Sequence, residues 1–171
     1  MAAFEVSGPF NVPVYKGANG RIVREEDGVR FFANHPARAK RRGCYVFAMR
    51  SGGGTTPAYV GKATKGFGQE CFHGHKLSKC NQTLVESRRG TLVLFFFEAP
   101  SGAKAPKMQI DQLETFLIQT ALTANEDLLN IKKTKQEQWS IKGVLRSGSG
   151  KPSKAALDAR SMLAIAPRNI K

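Results

Sequence analysis

The sequence predicts a small mixed α/β domain, and three observations carry that prediction. Residues 44–49 (CYVFAM) and 58–61 (AYVG) are strand segments on either side of a glycine-rich turn, 51–57 (SGGGTTP), and should pair as an antiparallel hairpin. Residues 91–98 (TLVLFFFE) are apolar on both sides, as a strand inside a sheet must be. Residues 110–122 place Ile110, Leu113, Leu117, Ile118, Ala121 and Leu122 on one helical stripe. The expected core, residues 43–134, is a three-stranded, mainly antiparallel sheet flanked by helices. It lies between an N-terminal extension (1–42) and a basic C-terminal extension (135–171).

The remaining elements are read from shorter signals. Residues 17–20 (GANG) form a turn signal between 12–16 and 21–24, which suggests a hairpin, and 29–32 reads as another short strand. Residues 67–77 are expected to be helical, with Gly74 as their weak point. Residues 99–106 should be a loop. The stretch GVLRSGSGKPSK (143–154) has linker composition, and a short helix over 153–165 could start at a Ser153 cap.

Composition narrows the partners. The chain of 171 residues is 41% hydrophobic and 23% charged, which describes a folded domain. Its net charge of +14 favours polyanions, nucleic acid first among them. Residues 131–171 hold ten Lys/Arg against two Asp/Glu, and Arg38, Lys40, Arg41 and Arg42 form a second basic cluster. The longest apolar run, 92–97, is far short of the roughly 20 residues a membrane helix needs. With no secretory leader visible and an odd count of three cysteines, a reducing, cytoplasmic setting is expected.

One carboxylate breaks the helical pattern. Glu114 lies within the apolar stripe of 110–122, four residues from both Ile110 and Ile118. A carboxylate there is costly unless paired, hydrogen-bonded or bound to a metal. Tyr45 and Tyr59 fall on the two hairpin strands near glycines, and Lys62 follows Tyr59 at the strand's end.

Together these residues resemble the GIY-YIG nuclease family. Gly43-Cys44-Tyr45 is similar to the first signature, with Cys in place of Ile, and Tyr59-Val60-Gly61 to the second. Thirteen residues separate the two tyrosines, which suits the family's hairpin. Lys62 matches a lysine many members carry just after the second signature. The next helix should carry an arginine followed by His or Tyr one turn later; here those positions hold Gln69 and His73. Glu114 fits the acidic metal ligand, and Asn130 fits the asparagine that closes the core. The resemblance spans residues 43–130.

It implies metal-assisted hydrolysis of DNA phosphodiesters, with RNA also compatible with the charge. Glu114 would hold Mg²⁺ or Mn²⁺, an ion that keeps several waters beside one or two carboxylates. Tyr45 would act near the attacking water, Tyr59 would position water or phosphate, and Lys62 and His73 would assist. Gly43, Gly61, Gln69 and Asn130 would support the site. Arg38, Lys40, Arg41, Arg42, Lys65, Lys76, Lys132 and Lys133 would neutralise backbone phosphates. Gln69 supplies no charge where the family has arginine, a loss on the order of 3 kcal/mol in the transition state unless Lys65 or Lys76 compensates. Two other readings stand beside this one. The first is a catalytically weakened nucleic-acid-binding module of the same fold. The second is a small nucleic-acid-binding protein with zinc held by Cys71, His73, His75 and Cys80.

Overall fold

The computed structural model describes residues 3–17, 20–52, 54–87, 89–100, 107–134 and 151–162. The main sheet has four antiparallel strands in the order β1-β6-β4-β5: β1 (Glu5–Asn11), β4 (Gly43–Ser51), β5 (Gly54–Ala63) and β6 (Thr91–Glu98). The expected hairpin is β4–β5, and the aromatic segment 91–98 is the inner strand β6. The sheet is one strand wider than expected, because β1 of the N-terminal extension pairs along β6. The small hairpin around residues 17–20 is also present, as β2 (Tyr15–Gly17) and β3 (Gly20–Ile22); Ala18 and Asn19 at its turn lie outside the described residues.

Alternation along β4 sends its side chains to two different layers. Tyr45, Phe47 and Met49 join Leu92, Leu94 and Phe96 of β6 on an aromatic face. That face is covered by α1 (Glu25–Asn34), α3 (Phe67–Glu70) and α4 (His75–Glu86) through Phe31, Phe32, Phe67 and Leu84, with Phe72 added from the segment between α3 and α4. On the other face Cys44, Val46 and Val60 meet Ile110, Ile118 and Ala121 of α5 (Lys107–Ala124). Each large apolar side chain buried in these layers contributes about 1.5–3 kcal/mol. The short helix α2 (Pro36–Ala39) joins α1 to β4.

Two further expectations change. Residues 29–32, read as a strand, lie within α1. Its first turn is acidic, and buried Asp27 accepts hydrogen bonds from the Arg24 backbone N–H and Nε at 3.0 Å each, satisfying the helix start. The helix expected over 67–77 is broken: α3 ends at Glu70, and α4 begins after Gly74, whose φ of +54° suits glycine, and runs on to Glu86. Residues 101–106 of the expected loop and 143–150 of the linker lie outside the described residues. Residues 136–171 form a separate unit; within it α6 (Lys154–Met162) begins at Ser153, whose Oγ accepts the Ala156 N–H at 3.2 Å. Among the described residues no helix is long and apolar enough to cross a membrane.

The outer edge of β5 is closed by the segment that follows α5. A bulge leaves Ala58 unopposed between the pairs Phe47–Tyr59 and Ala48–Pro57, and Pro57 is tolerated because β5 is an edge strand. The Pro57 carbonyl accepts from Asn125 Nδ2 at 2.7 Å and the Ala58 carbonyl from the Leu129 N–H at 2.9 Å. Val60 donates its N–H to Asn130 Oδ1 at 2.9 Å and accepts from Asn130 Nδ2 at 2.8 Å. A single side chain thus replaces a neighbouring strand. Asn130→Ala should lower stability by about 2–4 kcal/mol by orphaning both buried groups. Asn130→Asp, which cannot donate, should fall between the two in a urea titration.

Candidate functional site

The hairpin register sets the two tyrosine segments against each other. Tyr45 lies opposite Gly61, and its ring covers that glycine so closely that a Cβ there would enter the ring. Gly43 is equally constrained: its φ is +146°, and a Cβ would run into the Phe97 carbonyl. Tyr45 is 0% exposed, and its hydroxyl has no hydrogen-bond partner among the described residues. Burial drives its phenol well above the ordinary range. Tyr59 shares that face, with its ring centroid 6.5 Å from that of Tyr45. Its pKa is pushed up to about 12, by burial first and then by the charge of Glu114. Both phenols are therefore protonated at neutral pH.

Lys62 follows Gly61 and so turns with Val60 toward α5. There it pairs with Asp111 and, at 3.1 Å, with Glu114. Lys133 completes the group: its Nζ lies 2.8 Å from Asp111 Oδ1, 2.8 Å from Glu114 Oε2 and 3.2 Å from the Asp111 carbonyl. The Glu114 side chain is 14% exposed and that of Asp111 is 48% exposed. Two ammonium groups thus neutralise the carboxylate that interrupts the apolar stripe. Burial pulls the pKa values of both lysines down, but the carboxylates outweigh it and raise them. Hydrogen bonds from Lys133 and Lys62 lower Asp111 to about 2.

The loop after β5 carries a second set of charges. Glu70 accepts the backbone N–H groups of Thr64 and Lys65 at 2.6 Å each and pairs with Lys76 at 3.2 Å. Lys76 also donates to the Lys62 carbonyl at 3.2 Å, and its Nζ lies 5.8 Å from the Tyr45 ring centroid. Lys65 is exposed, as is Gln69 on α3. The His73 side chain is 51% exposed, and its charged neighbour is Glu25 of α1, at 3.7 Å. The structure therefore groups Lys62 with Glu114 and packs Tyr45 against Tyr59, but gives His73 a different partner. The zinc set is not assembled either: Cys71 and Cys80 are fully buried, whereas His73 and His75 are exposed.

The basic residues divide into paired and free. Arg38 and Arg41 flank buried Glu98 at 3.3 and 3.4 Å, and Ser7 donates to the same carboxylate. They hold the start of β4 beside the end of β6, so much of their charge is balanced within the protein. Lys40 and Lys132 are exposed, and Arg42 is half-buried; none of the three makes an ion pair among the described residues. Sequence reasoning missed Asp111, Glu70 and Glu98. Only Asp111 left a signal, one helical turn before Glu114.

The donor chemistry of the Asp111–Glu114 pair fits a hydrated hard cation, since its oxygens already converge on one ammonium. Among the described residues there is no group of three or more His, Cys, Asp or Glu that could cage a metal. Water would supply the remaining ligands. No protein-family model matches the sequence, and no curated protein or solved structure matches it.

The Asp111 pairing has a consequence in acid. An unfolded aspartate protonates near its ordinary 3.8, whereas folded Asp111 stays ionised to about 2. The stability it contributes is complete above about pH 4 and is lost as pH falls toward 2. In urea titrations across that window, Asp111→Asn should show a flatter acid decline than the parent. The slope that remains would come from Asp27 and Glu70, whose pKa values are also lowered.

Proposed function

We propose that this chain is a DNA-cleaving phosphodiesterase of the GIY-YIG type, using Mg²⁺ or Mn²⁺ held by Glu114. The observation that carries the reading is the meeting of Glu114 with Lys62, directly after the Tyr59-Val60-Gly61 signature, while Asn130 clamps Val60 between them in the chain. The net charge of +14 supports a polyanionic substrate, and Lys40, Lys65 and Lys132 are the exposed cations for its backbone. The GIY-YIG-like fold belongs to the same proposal: hairpin, helices, central strand and acidic helix follow one another in the expected order.

Asp111 and Glu114 would hold the ion, which when bound neutralises the phosphate and stabilises the leaving oxygen. The chain's own groups do the rest. Lys62 stays charged and fixes the Glu114 carboxylate. Tyr59, protonated, donates a hydrogen bond to a phosphate oxygen or to the attacking water rather than taking a proton. Tyr45 is likewise protonated and supports the site by filling the space over Gly61. Gln69 offers a neutral hydrogen bond where the family's arginine would stand.

The second reading, a binding module of the same fold with weakened catalysis, is favoured by two observations. Tyr45 is wholly enclosed, and His73 faces Glu25 rather than Glu114. Plasmid nicking in Mg²⁺ and Mn²⁺ separates the two. The nuclease reading expects cleavage by the parent and a loss of about a hundredfold or more in Glu114→Ala, with duplex binding retained. Salt-sensitive duplex binding with no cleavage by either protein would establish the module instead.

A further inference from the structure

We propose that Lys133 is a tethered counter-cation: its ammonium occupies the cation position of the Asp111–Glu114 pair until a nucleic-acid phosphate draws it away. The inference rests on the nuclease reading for its metal and adds to the phosphate-neutralising part already expected of Lys133.

The geometry is that of a ligand already in place. Three oxygens, from the Asp111 carboxylate, the Asp111 carbonyl and the Glu114 carboxylate, surround one Nζ at 2.8–3.2 Å. An ammonium and a hydrated divalent ion cannot share that point. Charge adds to the exclusion: Lys62 and Lys133 balance Asp111 and Glu114, so the resting cluster has no net negative charge to attract a cation. Departure of one lysine restores it.

The two lysines are not equally able to leave. Lys62 is set in β5, with its backbone paired to Cys44. Lys133 stands in the segment after the Asn130 clamp at φ +64°, the one positive φ of a non-glycine among the described residues. That segment belongs to no helix or strand. Exposed Lys132 precedes it. A phosphate arriving at this pair offers Lys133 several oxygens in exchange for those it gives up. Once the ammonium has moved to the phosphate, Asp111, Glu114 and Lys62 together carry one net negative charge, to which a divalent cation would be attracted.

The test uses the full chain and Mn²⁺ alone, with bound ion read by electron paramagnetic resonance. Lys133→Met should bind Mn²⁺ about tenfold more tightly than the parent, within the usual range of site-to-site coupling. Adding Glu114→Gln should abolish that gain. Lys133→Gly, which suits the positive φ, repeats the test in a second variant. In EDTA, Lys133→Met should weaken duplex binding and reduce its salt slope by about one. Equal Mn²⁺ affinity in parent and variants, or an unchanged salt slope, overturns the proposal. Glu114-dependent cleavage with unchanged Mn²⁺ affinity would leave the nuclease reading standing and this inference refuted. Tighter Mn²⁺ binding in a chain that cuts no DNA would do the reverse.

Discussion

The hydrogen-bonded clamp between Asn130 and Val60 is the constraint on which the rest of this structure depends. An edge strand exposes a row of unpaired peptide groups, and β5 meets that problem with one amide side chain and two neighbouring backbone contacts. The same closure fixes where the chain returns after α5. Lys133 lies three residues beyond Asn130 in the segment after α5, and Lys62 two residues beyond Val60 in β5. Both therefore reach the same turn of α5, where Asp111 and Glu114 project. The charged cluster is thus a consequence of how the sheet edge is satisfied.

The sheet also separates two kinds of chemistry. Its aromatic face is buried, with Tyr45 and Tyr59 packed among Phe47, Phe67 and Phe72. There the cost of placing charge in a low-dielectric interior keeps both phenols neutral. The α5 face carries the ion pairs at its rim, where partial exposure lets two carboxylates and two ammonium groups coexist. Burial thus gives Tyr45 a different part from the one the family resemblance implies, near the attacking water.

What was legible in the sequence follows from local periodicity. The β4–β5 hairpin, β6 and α5 each carry their pattern within a dozen or so residues, and each is found where the pattern lies, except that residues 54–57 of the expected turn belong to β5. Asn130 was singled out only through the family resemblance, since it lies 70 residues along the chain from the Val60 it braces. By contrast, the segment VRFF hid α1: its apolar residues suggest a strand, while the decisive signal is the acidic turn before it and the Asp27 cap. β1 contains Gly8 and Pro9 and shows no alternation, so its place in the sheet comes only from pairing with distant β6. Charge runs mislead for a similar reason. Arg38 and Arg41 look like surface cations until the fold brings Glu98 between them. Asp111 looked like an ordinary polar position until Lys62 and Lys133 arrived from elsewhere in the chain.

The measurement closest to the central claim is paramagnetic broadening of backbone NMR signals during Mn²⁺ titration of the full chain in the presence of a short duplex. The account predicts that Lys62, Asp111, Glu114 and Tyr59 broaden first and that Glu114→Gln removes the effect. Broadening centred on His73 and Cys71, or none attributable to the protein, would contradict it.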